Sequence, residues 1–133
     1  MNALKVLLAD DHDNFRRILL TFLKSQKGVE VIGEAADGLE VVEKTAALHP
    51  DLVFMDIHMP KQNGLEATKI IKDRWPATRV FILSMDAGEF YKQSSEECAD
   101  GFIAKSSLKN DLLSVISHEQ QLLANTLAAT VAA

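Results

Sequence analysis

A single cysteine, Cys98, stands in a chain of 133 residues, so neither an internal disulfide nor a cysteine-built zinc site can form. Basic residues are outnumbered. Fourteen Lys and Arg face nineteen Asp and Glu, and the formal net charge of -5 leaves no cationic surplus to neutralise a phosphate backbone. That argues against nucleic-acid binding by this chain. No apolar run approaches the roughly 18 residues a membrane span needs. The short run after Met1 stops at Asp10 and Asp11, unlike a secretory leader. Linkers, internal repeats and low-complexity stretches are also missing. With 47% hydrophobic and 25% charged residues, the composition fits one globular domain with a single core, soluble and cytoplasmic.

What is present is an alternation of five apolar runs with five helical patterns. Leu4 to Ala9 reads as a buried strand. Asp13 is placed to cap a helix whose apolar face is Phe15, Ile18, Leu19, Phe22 and Leu23, ending at Gly28. Val29 to Ala35 partly alternates polar with apolar, as an edge strand would. A second helix opens at Asp37-Gly38-Leu39-Glu40 and runs to about Leu48. Leu52 to Met55 is apolar without alternation, the mark of a strand buried on both faces, and it stops at Asp56. Pro60 and Asn63-Gly64 then force a loop.

A third helix follows from Asn63-Gly64-Leu65-Glu66 to Trp75-Pro76, then a strand at Val80 to Leu83 and a fourth helix from Asp86-Ala87-Gly88-Glu89. Gly101 to Ala104 makes a short fifth strand. The last helix starts near Ser107 and carries Leu108, Leu112, Leu113, Val115 and Ile116 inward. Three helix starts thus share a capping Asp or Asn with Glu three residues later, a capping box with Asx in place of Ser or Thr. Residues 1–121 form the domain; the Ala-rich tail, 122–133, extends the last helix and frays.

Regular strand-helix alternation implies a parallel sheet with right-handed crossovers and helices on both faces. All strand C-termini then fall on one rim, where ligands bind in open α/β sheets. Asp10 and Asp11 follow the first strand, Asp56 the third, Ser84 the fourth and Lys105 the fifth. Carboxylates ~4 Å apart repel by about 4 kcal/mol at an effective dielectric near 20, so three together need a cation. Oxygen-only ligands favour Mg²⁺ or Mn²⁺ over zinc, and magnesium completes its shell with water and phosphate oxygens. Lys105 adds a fixed positive charge and Ser84 a hydrogen-bond donor. This is a phosphoryl-binding pocket containing a carboxylate nucleophile.

Over residues 4 to 118 the chain resembles the receiver domain of two-component response regulators. The resemblance rests on Leu8-Ala9-Asp10-Asp11, Asp56-Ile57-His58-Met59-Pro60 with Gly64, Leu83-Ser84-Met85 and Asp100-Gly101-Phe102-Ile103-Ala104-Lys105. It implies a flavodoxin-like, doubly wound five-stranded parallel sheet of order 2-1-3-4-5 with five helices. It further implies that Asp56 accepts the phosphoryl group from a sensor histidine kinase. Asp11, Asp56 and the His58 backbone carbonyl would then ligate Mg²⁺ directly, with Asp10 acting through water. Lys105 would pair with the phosphoryl group, Ser84 would be the switch hydroxyl and Phe102 the switch aromatic. Output would pass through the fourth helix, fifth strand and fifth helix to a downstream effector, with a homodimer allowed.

The wording around Gly33-Glu34-Ala35 and Ala99-Asp100-Gly101-Phe102 is most similar to the NarL/FixJ subclass, where a DNA-binding domain usually follows. No such domain is expected here, since about 15 residues remain after the last core helix. Ser106 stands where many receivers carry proline after the lysine, so the usual cis bond is not expected.

Simpler roles suit several other residues. Asp13 is expected only to cap its helix. His12, His49, His58 and His118 lack metal-ligand spacing and read as surface or pocket-rim residues; Met55, Met59 and Met85 read as packing, and Cys98 as a half-buried filler. A phosphatase of the haloacid-dehalogenase type would need an acid where His58 stands, and a cap domain besides. A degenerate receiver, acting only as an interaction module, does not need the complete set of pocket residues found here. The expectation is therefore a non-enzymatic phosphoacceptor, either stand-alone or the receiver part of a longer DNA-binding regulator.

Overall fold

The computed structural model describes residues 3–85 and 98–132. Five strands, β1 (Leu4–Ala9), β2 (Val29–Ala35), β3 (Leu52–Asp56), β4 (Arg79–Ser84) and β5 (Gly101–Ala104), form one sheet in the order β2-β1-β3-β4-β5. Every neighbouring pair is parallel. This is the flavodoxin-like, doubly wound arrangement expected, with β2 and β5 at the edges. Helices α1 (Asp13–Lys24), α2 (Gly38–Leu48), α3 (Gly64–Arg74) and a C-terminal helix (Leu108–Ala132) are the α-helices among the described residues. The helix expected to open at Asp86–Glu89 lies outside them, so four helices are seen where five were expected.

Period-two alternation along the strands divides the core in two. Leu4, Val6 and Leu8 point to one face with Leu52, Phe54, Leu83 and Ile103, under Leu19 and Leu23 of α1 and Leu112 and Ile116 of the C-terminal helix. Leu7, Ala9, Val53, Met55 and Ile82 point to the other, under Val41 of α2 and Ala67 and Ile71 of α3. All five residues of β3 are buried, which is why that strand shows no polar alternation.

Asp37 and Asn63 cap α2 and α3 as expected. The glutamate three residues on, however, reaches back to the Ala36 amide in one and to the Asn63 side chain in the other, so neither makes the reciprocal bond to the cap residue's own amide that completes a capping box. Asp37 Oδ1 accepts from the Glu40 amide at 2.8 Å while Glu40 Oε1 accepts from Ala36 N at 3.2 Å. Asn63 Oδ1 accepts from Glu66 N at 2.9 Å while its Nδ2 donates to Glu66 Oε1 at 2.8 Å. The Glu40 amide holds the Asp37 carboxyl below its ordinary value. The third box, at Asp86, lies outside the described residues.

Several local expectations need correction. The N-cap of α1 is His12, with no side-chain cap bond; Asp13 is already helical and its carboxylate pairs with Arg16 Nη2 at 2.8 Å. The helix ends at Lys24, and Ser25 caps it. Gly28, at φ +77°, instead makes the left-handed turn into β2. Ile18, Leu113 and Met85 are 66%, 46% and 80% exposed, because helical spacing gives the direction of an apolar face but not its width, and Met85 lies just beyond β4. Met55 and Met59 are buried and Cys98 is half-buried, as expected. No peptide bond is cis among the described residues, in keeping with serine at position 106. The C-terminal helix is tied to the sheet through buried Glu119, which accepts from Arg79 Nε at 2.7 Å and Nη2 at 3.3 Å. No helix among the described residues is long and apolar enough to cross a membrane.

Candidate functional site

The C-terminal ends of β1, β3, β4 and β5 bring Asp10, Asp11, Asp56, Ser84 and Lys105 to one rim. Backbone packing fixes the centre. Gly64, the first residue of α3, sits so close to the end of β3 that a Cβ there would lie 1.9 Å from the Asp56 carbonyl oxygen. Its amide donates to Ile57 O at 2.7 Å. Only glycine permits this approach, and it anchors the loop that carries His58, whose side chain is exposed.

Three carboxylates and one ammonium share the pocket. Asp10 and Asp56 are 1% and 4% exposed. Lys105 Nζ donates to Asp10 Oδ2 at 2.8 Å and lies 3.4 Å from Asp56 Oδ1. The opposite oxygens, Asp10 Oδ1 and Asp56 Oδ2, lie 3.0 and 3.9 Å from His12 Nδ1. Asp56 Oδ2 is buried and has no hydrogen-bond partner. Burial first, and the neighbouring Asp10 charge second, raise the Asp56 carboxyl above its ordinary value; Lys105 offsets this only in part. An orphaned buried oxygen beside two further carboxylates is a donor set suited to a hard divalent cation. Ser84 is buried at the end of β4 beside Ala104 of β5, and Phe102 is half-buried on β5 opposite Ile82.

Three residues to which the sequence reading gave no part in the chemistry belong to this site. His12, taken as a rim residue without ligand spacing, has an exposed ring, but its Nδ1 lies 3.0 Å from Asp10 Oδ1, 3.2 Å from Asp11 Oδ1 and 3.9 Å from Asp56 Oδ2. Phe15, taken as core, lies under the ammonium, with Lys105 Nζ 4.0 Å from its ring centroid, a cation–π contact. Arg16 bonds the Asp10 carbonyl through Nη1 and Glu34 Oε1 through Nε at 3.0 Å, pinning the turn after β1. The signal for His12 was its adjacency to two acids at a strand end. Linear ligand spacing does not detect donors gathered by one tight turn and a second strand.

An open parallel sheet with a carboxylate–ammonium pocket across its central strand ends defines the flavodoxin-like α/β class. The chain belongs to the response regulator receiver domain family, whose pattern matches residues 6–117. It is 34% identical over 116 residues to the response regulator protein VraR of Staphylococcus epidermidis, covering 86% of this chain and 55% of that protein; this likeness supports the NarL/FixJ-like subclass. It is 48% identical over 86 residues to protein-glutamate methylesterase/protein-glutamine glutaminase 4 of Geobacter metallireducens, covering 64% of this chain and 25% of that enzyme. The chain thus spans between a quarter and about half the length of these relatives. Among solved structures, the response regulator domain of Thermotoga maritima CheB matches with a TM-score of 0.80 at 33% identity, over 90% of this chain and 98% of that one. A chain of the CheX-CheY-BeF3-Mg²⁺ complex from Borrelia burgdorferi matches at 0.75 and 29%, over 86% and 90%.

Proposed function

We propose that this chain accepts a phosphoryl group on Asp56 from a sensor histidine kinase and relays the signal to an effector. The observation that carries the reading is the buried, unpartnered Asp56 Oδ2 at the end of the central strand, with Lys105 held beside the same carboxyl group. In the reaction an Asp56 oxygen attacks phosphorus, an O–P bond forms, and the P–N bond of the phosphohistidine breaks. The electron pair leaves on the imidazole, which takes up a proton. Lys105 shifts from its acidic partners to the incoming phosphoryl oxygens.

Asp11, Asp56 and the His58 carbonyl would hold Mg²⁺, or Mn²⁺. Asp10, whose oxygens accept from Lys105 Nζ and from His12 N at 2.8 Å, would act on that ion through water. When bound, the ion supplies positive charge to the acids and the phosphoryl oxygens. Ser84 bonds the phosphoryl group, and Phe102 turns inward in response, altering β5 and its neighbouring helices. The receiver comprises residues 1–121, and 122–133 extend its last helix. The chain itself turns over no other substrate; its setting is cytoplasmic, without direct contact to nucleic acid or membrane, and a homodimer is compatible with it. A second form of the same reading is the receiver part of a longer regulator, since the chain spans about half the length of VraR.

Incubation with a small phosphodonor and Mg²⁺ tests this. One acid-stable, base-labile phosphoryl group is expected per chain, and Asp56→Asn abolishes it. Undiminished labelling of the variant overturns the assignment.

A further inference from the structure

We propose that His12 turns this pocket into a mixed oxygen–nitrogen site that also takes a transition-metal dication of the zinc, nickel or cobalt class. Asp10 Oδ1, Asp11 Oδ1, Asp56 Oδ2 and His12 Nδ1 would be its ligands, in competition with Mg²⁺. The inference rests on the metal-pocket reading above and adds the one donor which that reading omits.

The donors are already gathered. One ligand atom from each of Asp10, Asp11, His12 and Asp56 lies within 4.8 Å of every other. Bonds of ~2.0–2.1 Å at tetrahedral angles place donors about 3.3–3.4 Å apart. The three Nδ1–carboxylate separations, 3.0, 3.2 and 3.9 Å, bracket that value. Independently, Asp56 Oδ2 is buried without a partner and aimed into this space, while the other oxygens of Asp10 and Asp56 face Lys105. The pocket therefore has two sides: an ammonium fills one, and the imidazole marks the other. His12 is preset, since its backbone amide holds Asp10 Oδ1 at 2.8 Å. Its ring is 64% exposed, so ligation requires no further burial of the side chain.

The ligand chemistry selects the ion. Imidazole nitrogen suits zinc, nickel and cobalt, whereas magnesium prefers oxygen and keeps its waters. A nitrogen donor therefore raises affinity for the first class and is nearly silent for the second. The consequence for signalling is inhibitory. Four protein donors close a tetrahedral zinc shell, engage Asp56 Oδ2 and leave no position for a phosphoryl oxygen.

Calorimetric titration of the full chain with Zn²⁺ and with Mg²⁺, for wild type, His12→Ala and His12→Gln, tests the proposal, together with ¹⁵N NMR of the His12 ring. One Zn²⁺ per chain is expected, bound at least about tenfold more weakly by either variant, while Mg²⁺ affinity stays within about twofold. Zn²⁺ shifts the His12 Nδ1 resonance and Mg²⁺ does not. Equal Zn²⁺ affinity in all three proteins, or an unmoved Nδ1, overturns the proposal; so does an equal loss for both ions, which makes His12 an organiser and not a ligand. If Mg²⁺ fails to bind wild type while the Zn²⁺ pattern holds, the magnesium reading fails and the His12 ligand stands.

Discussion

Neutralising the acceptor should make the metal-free protein more stable. A carboxylate oxygen of Asp56 lies within 4.8 Å of one on each of Asp10 and Asp11, and Asp56 Oδ1 is 3.4 Å from Lys105 Nζ. At an effective dielectric near 20 each acid repels Asp56 by ~3.5 kcal/mol and Lys105 attracts it by ~5 kcal/mol, leaving a net penalty of about 2 kcal/mol on the charged form. Burial adds to that penalty with the same sign. The folded-state pKa of Asp56 is thus raised, so between its unfolded and folded values the native state binds more protons than the unfolded one. Stability then falls as pH rises through that window, and the full penalty is present above the folded pKa. Asp56→Asn keeps the side-chain shape and removes the charge. At neutral pH, without divalent ions, the variant should gain about 2 kcal/mol, roughly 6–10 °C in midpoint. The gain should shrink as acid protonates the wild-type carboxyl. Urea unfolding of both proteins across acidic to neutral pH measures it. A variant less stable than wild type at neutral pH, or a gain indifferent to pH, refutes the reasoning.

Lys105→Ala strands the nearly buried Asp10 and Asp56 carboxylates and should cost about 3–5 kcal/mol at neutral pH, partly recovered on acidification; a loss below about 1 kcal/mol in urea unfolding would contradict the buried pairing. Gly64→Ala drives a Cβ into the Asp56 carbonyl and should cost about 1–3 kcal/mol with weakened Mg²⁺ binding; unchanged values by urea unfolding and calorimetry would show that the contact relaxes freely. Ser84→Ala removes one hydrogen bond to a charged group, worth ~1.5–3 kcal/mol, from a switch that needs about 5.5 kcal/mol for full conversion. With beryllofluoride bound, amide NMR shifts at the pocket should persist while those around Phe102 shrink, and full-size distal shifts would exclude Ser84 as the coupling element.

The strands were readable because their burial is extreme. β3 is apolar until it meets Asp56, and both edge strands carry weaker patterns, as their places in the sheet require. Asp37 and Asn63 were readable as caps because the chemistry is local, a side chain and an amide three residues on. Asp13 fails the same test by one residue: Arg16 draws its carboxylate into an ion pair, and the chain turns at His12 instead. Ile18 and Leu113 follow the helical period yet face solvent, on the flanks of apolar stripes whose buried members are Leu19 and Leu23, and Leu112 and Ile116. The acids, Ser84 and Lys105 were placed by topology alone, because each ends a strand. His12, Phe15 and Arg16 were not, because their roles depend on where a turn and a helix start aim their side chains across to Lys105 and Asp56.

The most direct test of the central claim is to locate the acyl phosphate itself. The chain is phosphorylated with a small donor and Mg²⁺, the product is trapped by borohydride reduction, and the tryptic peptides from Val6 to Arg16 and from Thr45 to Lys61 are sequenced by mass spectrometry. Reduction of an aspartyl phosphate leaves homoserine, expected at position 56 alone. Homoserine at position 10, 11 or 51, or a phosphoryl group recovered on histidine while position 56 stays aspartate, would contradict it.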